Sequence, residues 1–123
     1  MEKLQNEFPL IELYKKHFNI TEKTIFALTP DIYTNYKLTP DLLIHEQTHL
    51  KQQEKIGADK WVDKYINNID FRIEQEVEAY KNQVKSIKDR NIRERVKVWA
   101  SETLSGELYQ NIITKQKAYE LLK

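Results

Sequence analysis

The chain has 123 residues, of which 40% are hydrophobic and 32% charged, and it contains no cysteine. This composition fits one globular domain over residues 1–123 and excludes a disulfide framework, a thiolate metal site and a thiol nucleophile. Twenty basic and nineteen acidic side chains leave a net charge of +1, which does not favour nucleic acid or an anionic membrane as a partner.

The order of apolar residues predicts a mainly helical α+β fold with a small sheet near the N-terminus, packed on two helices. We expect a first helix over residues 9–18, a buried strand over 24–28 and a second strand over 32–37. Thr39-Pro40-Asp41 begins a helix that ends at Gly57. Asp59 and Asp70 are predicted to cap two further helices, of which the second runs to about residue 88. Two more helices are expected over 91–103 and 114–122.

No apolar leader opens the chain, and no apolar run approaches the roughly 18 residues that a membrane span requires. We therefore expect a cytoplasmic monomer with no membrane contact. The aromatic side chains that follow helical spacing are predicted to lie in the core, namely Trp61, Tyr65, Phe71 and Trp99. The basic segment 88–95 is interrupted by Asp89 and Glu94, and a solvated helix start is favoured over a nucleic-acid surface.

The helix that begins at residue 40 carries the motif His45-Glu46-Gln47-Thr48-His49. Residues four apart lie one above the other on a helix, so both imidazoles leave the same face and can bind one divalent ion. Glu46 lies about 100° round the helix from His45, within reach of a metal-bound water, where a general base is needed. The alternative is a pair of helix histidines that face solvent or cap the core.

A zinc site needs a third protein ligand and keeps a fourth position for water. Helical phase places Glu76 within the apolar stripe of its helix, whereas Glu74 and Glu78 fall on the solvated face. A buried carboxylate requires a cation or dense hydrogen bonding. We therefore favour a zinc ion bridging Glu76 to the two histidines over an ion pair between Glu76 and Arg72. His17 is a weaker candidate ligand, since it belongs to the first predicted helix.

The pattern His45-Glu46-x-x-His49 followed by Glu76-x-x-Ala79 resembles the gluzincin type of zincin metallopeptidase, whose third ligand is a glutamate on a later helix. The flanking Gln52-Gln53 resembles the residues that follow the motif in small one-domain zincins of bacteria and their phages. The resemblance covers roughly residues 24–83. It implies that His45, His49 and Glu76 hold one Zn²⁺. One position departs from the family, because Tyr80 stands where an aspartate normally supports a zinc-bound histidine.

The resemblance implies hydrolysis of a peptide or protein substrate. Zinc would lower the pKa of a bound water, Glu46 would take its proton, and the resulting hydroxide would attack the carbonyl. In zincins an edge strand pairs with the extended substrate, and the residues placed to do so are Thr24, Ile25, Phe26, Ala27 and Leu28. A buried strand without a binding role is the alternative.

Four side chains are candidate donors to the oxyanion, or supports for the ligands, and sequence does not choose among them: Tyr80, Arg72, Tyr65 and Tyr109. Two other functions fit the same residues. One is a zinc-stabilised protein without turnover, and the other is a metal-free helical module that binds a partner protein.

Overall fold

The computed structural model describes residues 2–123. Three short strands and six helices follow one another: β1 (Glu2–Lys3), α1 (Ile11–His17), β2 (Phe26–Leu28), β3 (Asp31–Tyr33), α2 (Pro40–Ile56), α3 (Ala58–Asn67), α4 (Ile69–Ser86), α5 (Arg90–Leu104) and α6 (Lys115–Leu121). The prediction of a mainly helical α+β fold with a small sheet near the N-terminus is confirmed. Within residues 2–123, no helix combines the length and the apolar character that crossing a membrane requires.

The sheet has the strand order β1-β3-β2, which leaves β2 at an edge. β2 runs antiparallel to β3, with Ala27 opposite Ile32, whereas β1 runs parallel to β3. β2 also packs against α2, so the edge strand lies beside the helix that carries the two motif histidines. The sequence did not predict β1, because a two-residue strand whose partner is distant in the chain leaves no periodic signal.

Both predicted strands are longer than the observed ones. The strand predicted over residues 24–28 begins only at Phe26, since the carbonyl of Thr24 accepts a hydrogen bond from the Gln5 side chain at 2.7 Å. The strand predicted over 32–37 ends at Tyr33, where the Thr34 hydroxyl donates to the Tyr36 carbonyl and turns the chain. Side-chain to backbone hydrogen bonds of this kind compete with strand pairing.

Helix α2 begins and ends where the sequence predicts, with Pro40 as its first residue and Gly57 after its last. Gly57 has φ +91°, a backbone conformation that other residues rarely adopt. The predicted caps of the next two helices are wrong. Gly57 rather than Asp59 precedes α3, and the Asn68 side chain accepts from the Phe71 N–H at the start of α4. Asp59 and Asp70 lie in first turns, where a carboxylate favours the helix dipole.

Two clusters of buried side chains form the core. The first cluster packs the sheet and helix α1 against helix α3, around Phe8, Phe26 and Trp61. The second cluster joins α4, α5 and α6, around Tyr80, Leu104 and Tyr109. Helices α2 and α4 pack against each other between these clusters. This packing sets the motif face of α2 against the buried face of α4.

The core position predicted for Trp99 is wrong, because its side chain is 49% exposed. Helix α5 buries a different face, formed by Ala100, Ser101 and Leu104. Small residues on that face allow close packing against the neighbouring helices, and the apolar stripe that contains Ile92 and Trp99 is left at the surface.

Candidate metal centre

The packing of α2 on α4 brings His45, His49 and Glu76 together. Glu76 Oε1 lies 3.0 Å from Nε2 of His45 and 3.0 Å from Nε2 of His49. All three side chains are buried, and each offers one ligand atom within 4.8 Å of the others. The predicted convergence of these residues is therefore present, and it follows from the helical phase that puts Glu76 on the inner face of α4.

The other ring nitrogen of His45 is held by a second residue of α4. His45 Nδ1 lies 3.0 Å from Oε1 of Gln83, and Gln83 Nε2 donates to Oδ2 of Asp41 at 2.8 Å. The carboxylate of Asp41 requires the NH₂ end of the amide, so the amide oxygen faces the imidazole. Nδ1 of His45 must then carry a proton and donate it to Gln83.

His49 has the same arrangement on its own side of the site. Its Nδ1 lies 2.8 Å from Oε1 of Gln52, whose Nε2 donates to the Gln75 carbonyl at 3.0 Å and to Glu78 Oε1 at 2.8 Å. The Gln52 amide is oriented by these two acceptors, so Nδ1 of His49 is also the protonated nitrogen. When both imidazoles are neutral, each directs a bare Nε2 towards the same carboxylate.

A cation between the three ligand atoms would satisfy this geometry. Two bare ring nitrogens facing a carboxylate oxygen would place only acceptors together, and the alternative is two protonated imidazoles with ring centroids 4.9 Å apart. Three atoms bound tetrahedrally at about 2.0–2.1 Å from zinc lie about 3.3 Å from one another, close to the two 3.0 Å separations observed. A cavity of about 70 Å³ touches all three side chains and gives room for an ion. The residues fit a zinc ion.

The second oxygen of Glu76 accepts a hydrogen bond from the Tyr65 hydroxyl of α3. Burial would raise the pKa of Glu76, but the neighbouring imidazoles of His49 and His45 hold it well below its usual value. Burial would likewise lower the pKa of His49, whereas the Glu76 carboxylate raises it to about 9. The carboxylate is thus ionised and ready to bind a cation.

Glu46 lies beside the three ligand atoms, and its side chain lines the cavity with them. Burial raises the pKa of its carboxyl group, and the neighbouring imidazoles of His45 and His49 oppose this shift. A carboxyl group with a raised pKa is better suited to take and return a proton than an exposed one. Its position agrees with the base role predicted from the sequence, which stays a prediction.

A larger cavity of about 490 Å³ opens beside the centre. His45, Glu46 and Glu76 line one end of it, and the predicted strand segment contributes Thr24, Ile25 and Phe26. This cavity therefore adjoins both the edge strand of the sheet and the candidate ligands.

Gln53 closes part of that sheet edge. Its buried amide donates to the Ala27 carbonyl at 2.9 Å and accepts from the Thr29 N–H at 2.6 Å, as a neighbouring strand would. The N–H and carbonyl of one strand residue point to the same edge, so the Ala27 N–H also faces outwards. Gln53 therefore occupies the Ala27 carbonyl and the Thr29 N–H, and the Ala27 N–H stays available to a peptide.

The four candidate donors occupy different positions. The Tyr80 ring packs edge-on against His45 at 4.5 Å between centroids and lines the large cavity. Tyr65 binds Glu76, and Tyr109 contacts Tyr65 from the second core cluster. Arg72 lies outside both cavities, since its guanidinium donates to the carbonyls of Tyr65, Ile66 and Leu108 at 2.7–3.0 Å.

The position of Arg72 has two consequences. The guanidinium binds backbone carbonyls at the end of α3, which accounts for its burial without any contact with substrate. The ion pair between Arg72 and Glu76, the alternative to a metal, does not occur within residues 2–123. His17 is exposed at the end of α1 and does not belong to the group of ligand atoms.

Gln83, Asp41 and the amide role of Gln52 were missed in the sequence. Gln83 follows Glu76 by seven residues and Gln52 follows His49 by three, so both lie on a ligand-bearing helix face. This spacing is the sequence feature that could have indicated them. Glutamine is usually exposed, however, so its presence alone does not identify a residue that hydrogen-bonds a ligand histidine. Gln83 accepts the hydrogen bond from His45 Nδ1, a supporting role for which the sequence made Tyr80 a candidate.

Comparison with known proteins gives no match: no family model fits the chain, and no similar curated protein or solved structure was found. The geometry of residues 2–123 therefore carries the functional argument alone.

Proposed function

We propose that this protein is a zinc-dependent peptidase. The observation that supports the proposal is the pair of buried histidines whose Nδ1 atoms are fixed as donors, so that both Nε2 atoms and Glu76 Oε1 face one point. A divalent cation satisfies all three acceptors at once. When bound, zinc supplies a Lewis acid that polarises a carbonyl and lowers the pKa of water.

The side chains around the site have separate roles in the proposed reaction. His45, His49 and Glu76 hold the ion, and Tyr65 fixes the orientation of the Glu76 carboxylate. Glu46 takes a proton from the attacking water on its carboxylate and returns it to the leaving amine. Burial around Glu46 favours this proton exchange, because it raises the pKa of the carboxyl group.

The sheet edge supports a peptide as the substrate. An extended chain that pairs with the outward Ala27 N–H would lie beside the smaller cavity, which Ala27 lines together with His45, Glu46 and Glu76. Main-chain hydrogen bonds to an edge strand recognise a peptide independently of its side chains. The active form would therefore bind peptides or unfolded protein segments.

The second candidate is a zinc-stabilised protein without turnover, and the closed half of the sheet edge favours it. Gln53 occupies the Ala27 carbonyl and the Thr29 N–H, which shortens the surface available to a substrate. In this case zinc would stabilise the packing of α2 on α4 and the adjacent surface would bind a partner.

The two candidates are distinguished with the zinc-loaded protein, a peptide library and mass spectrometry of the products. The peptidase predicts cleavage by the wild type, loss of cleavage in Glu46→Gln and unchanged zinc content in that variant. Glu54→Gln is the matched control, because Glu54 is an exposed residue of the same helix. Cleavage that survives in Glu46→Gln would remove the base role. A strong loss of thermal stability on chelation without cleavage of any peptide would favour the zinc-stabilised protein.

The metal-free module is tested with cobalt. Two imidazoles and a carboxylate around Co²⁺ give a visible absorption band, whereas a chain that binds no metal shows no spectral change.

A further inference from the structure

We infer that the large cavity is a specificity pocket for a bulky apolar side chain of the substrate, next to the bond that is cleaved. This inference rests on the proposed function, since it assumes that a ligand is bound at the metal centre. The cavity of about 490 Å³ lies within the roughly 300–1,000 Å³ typical of ligand pockets.

The walls of the cavity are of two kinds. His45, Glu46 and Glu76 of the metal centre form one part, and the rest of the wall is mostly apolar, with Phe18, Leu42 and Trp99 among its residues. Lys23 is the one charged residue among the lining residues beyond the centre. An acidic or basic substrate side chain would lose its hydration there with little compensation, whereas an apolar side chain gains by leaving water.

Trp99 lines the cavity and is linked to His45 of the metal centre through Tyr80. Its ring meets the Tyr80 ring edge-on at 5.8 Å between centroids, and Tyr80 in turn packs against His45 at 4.5 Å. Trp99 is 49% exposed, and Leu108, another lining residue, is 41% exposed. These two side chains leave apolar surface uncovered at a place where a ligand side chain would bury it.

The same helix offers a matched control. Ile92 lies two turns before Trp99 and is 44% exposed, yet it is not among the residues that line the cavity. Substituting either residue by alanine removes a large exposed apolar side chain from α5. Only the Trp99 substitution removes a wall of the cavity.

The test measures the binding of amino-acid hydroxamates to the zinc-loaded Glu46→Gln variant by calorimetry, so that no turnover is required. N-acetyl hydroxamates of phenylalanine, leucine, alanine, aspartate and lysine present the same zinc-binding group with different side chains. We expect the phenylalanine and leucine compounds to bind about 10 to 100-fold more tightly than the alanine compound. The aspartate and lysine compounds should bind no better than the alanine compound.

Adding Trp99→Ala should reduce the preference for phenylalanine at least about fivefold, whereas Ile92→Ala should leave it unchanged. Equal affinities for all side chains, or equal effects of the two substitutions, would overturn the inference. Apolar selectivity without hydrolysis by the wild type would refute the peptidase and retain the pocket. Hydrolysis by the wild type without a preference for apolar side chains would retain the peptidase and refute the pocket. A failure of all the hydroxamates to bind would overturn both the peptidase and the pocket.

Discussion

Removing the Gln83 amide should weaken zinc binding without unfolding the protein. In Gln83→Leu the Nδ1 proton of His45 loses its acceptor at 3.0 Å, and Asp41 loses the donor that it binds at 2.8 Å. The imidazole is then free to rotate or to carry its proton on Nε2, the atom that must bind the metal. Loss of such a support typically costs about 10 to 100-fold in metal affinity, which is about 1.4–2.7 kcal/mol.

The affinity is measured by competition with a chromogenic zinc chelator at pH 7.5. Asn82→Ala is the matched control, since Asn82 is the neighbouring residue of α4 and binds Thr48 rather than a histidine. A second variant, Gln83→Glu combined with Asp41→Asn, reverses the two partners and keeps an acceptor facing His45. We expect it to bind zinc within a few fold of the wild type. If Gln83→Leu bound zinc as tightly as Asn82→Ala, the argument from fixed Nδ1 donors would be refuted.

Three further predictions concern Tyr65, Arg72 and pH. Tyr65→Phe removes the donor to Glu76 and should lower the free energy of unfolding of the metal-free protein by about 2 kcal/mol, measured by urea denaturation; an unchanged value would contradict this. Arg72→Met should lower the free energy of unfolding by about 3 kcal/mol or more, equally with and without zinc, because three hydrogen bonds to backbone carbonyls are lost. A change in zinc affinity without a loss of stability would contradict the structural role of Arg72. Burial lowers the pKa of His49, but the Glu76 carboxylate raises it to about 9 in the folded protein, compared with 6.5 in the unfolded chain. Protonated His49 therefore stabilises the metal-free fold fully below pH 6.5, and this stabilisation is lost as the pH rises to 9. Thermal melts should show this loss without zinc, and zinc binding at pH 7.5 should release a proton that an indicator dye detects; no release would contradict the shift.

The ligand group could be predicted because it depends on local helical geometry. The i, i+4 spacing fixed the common face of His45 and His49, and the phase of α4 separated buried Glu76 from exposed Glu74 and Glu78. Such arguments need no knowledge of how the helices pack.

The remaining features depend on contacts between distant parts of the chain. The roles of Gln83 and Gln53 arise only when α4 and β2 are placed beside α2, and no local pattern encodes that placement. Trp99 was misplaced for the same reason, because helical spacing defines a stripe but does not say which face the neighbouring helices cover. The cap of α4 differs because Asn68 and Asp70 both stand near the helix start, and α3 differs because it follows Gly57 without a side-chain cap.

The most direct test of the metal centre is elemental analysis of protein purified after zinc-replete expression, together with anomalous diffraction at the zinc edge. We predict one zinc ion per chain, about 2.0–2.2 Å from His45 Nε2, His49 Nε2 and a Glu76 carboxylate oxygen. Chains carrying Glu76→Ala should retain far less zinc. Wild-type protein with almost no zinc, or with zinc bound away from these three atoms, would contradict the account.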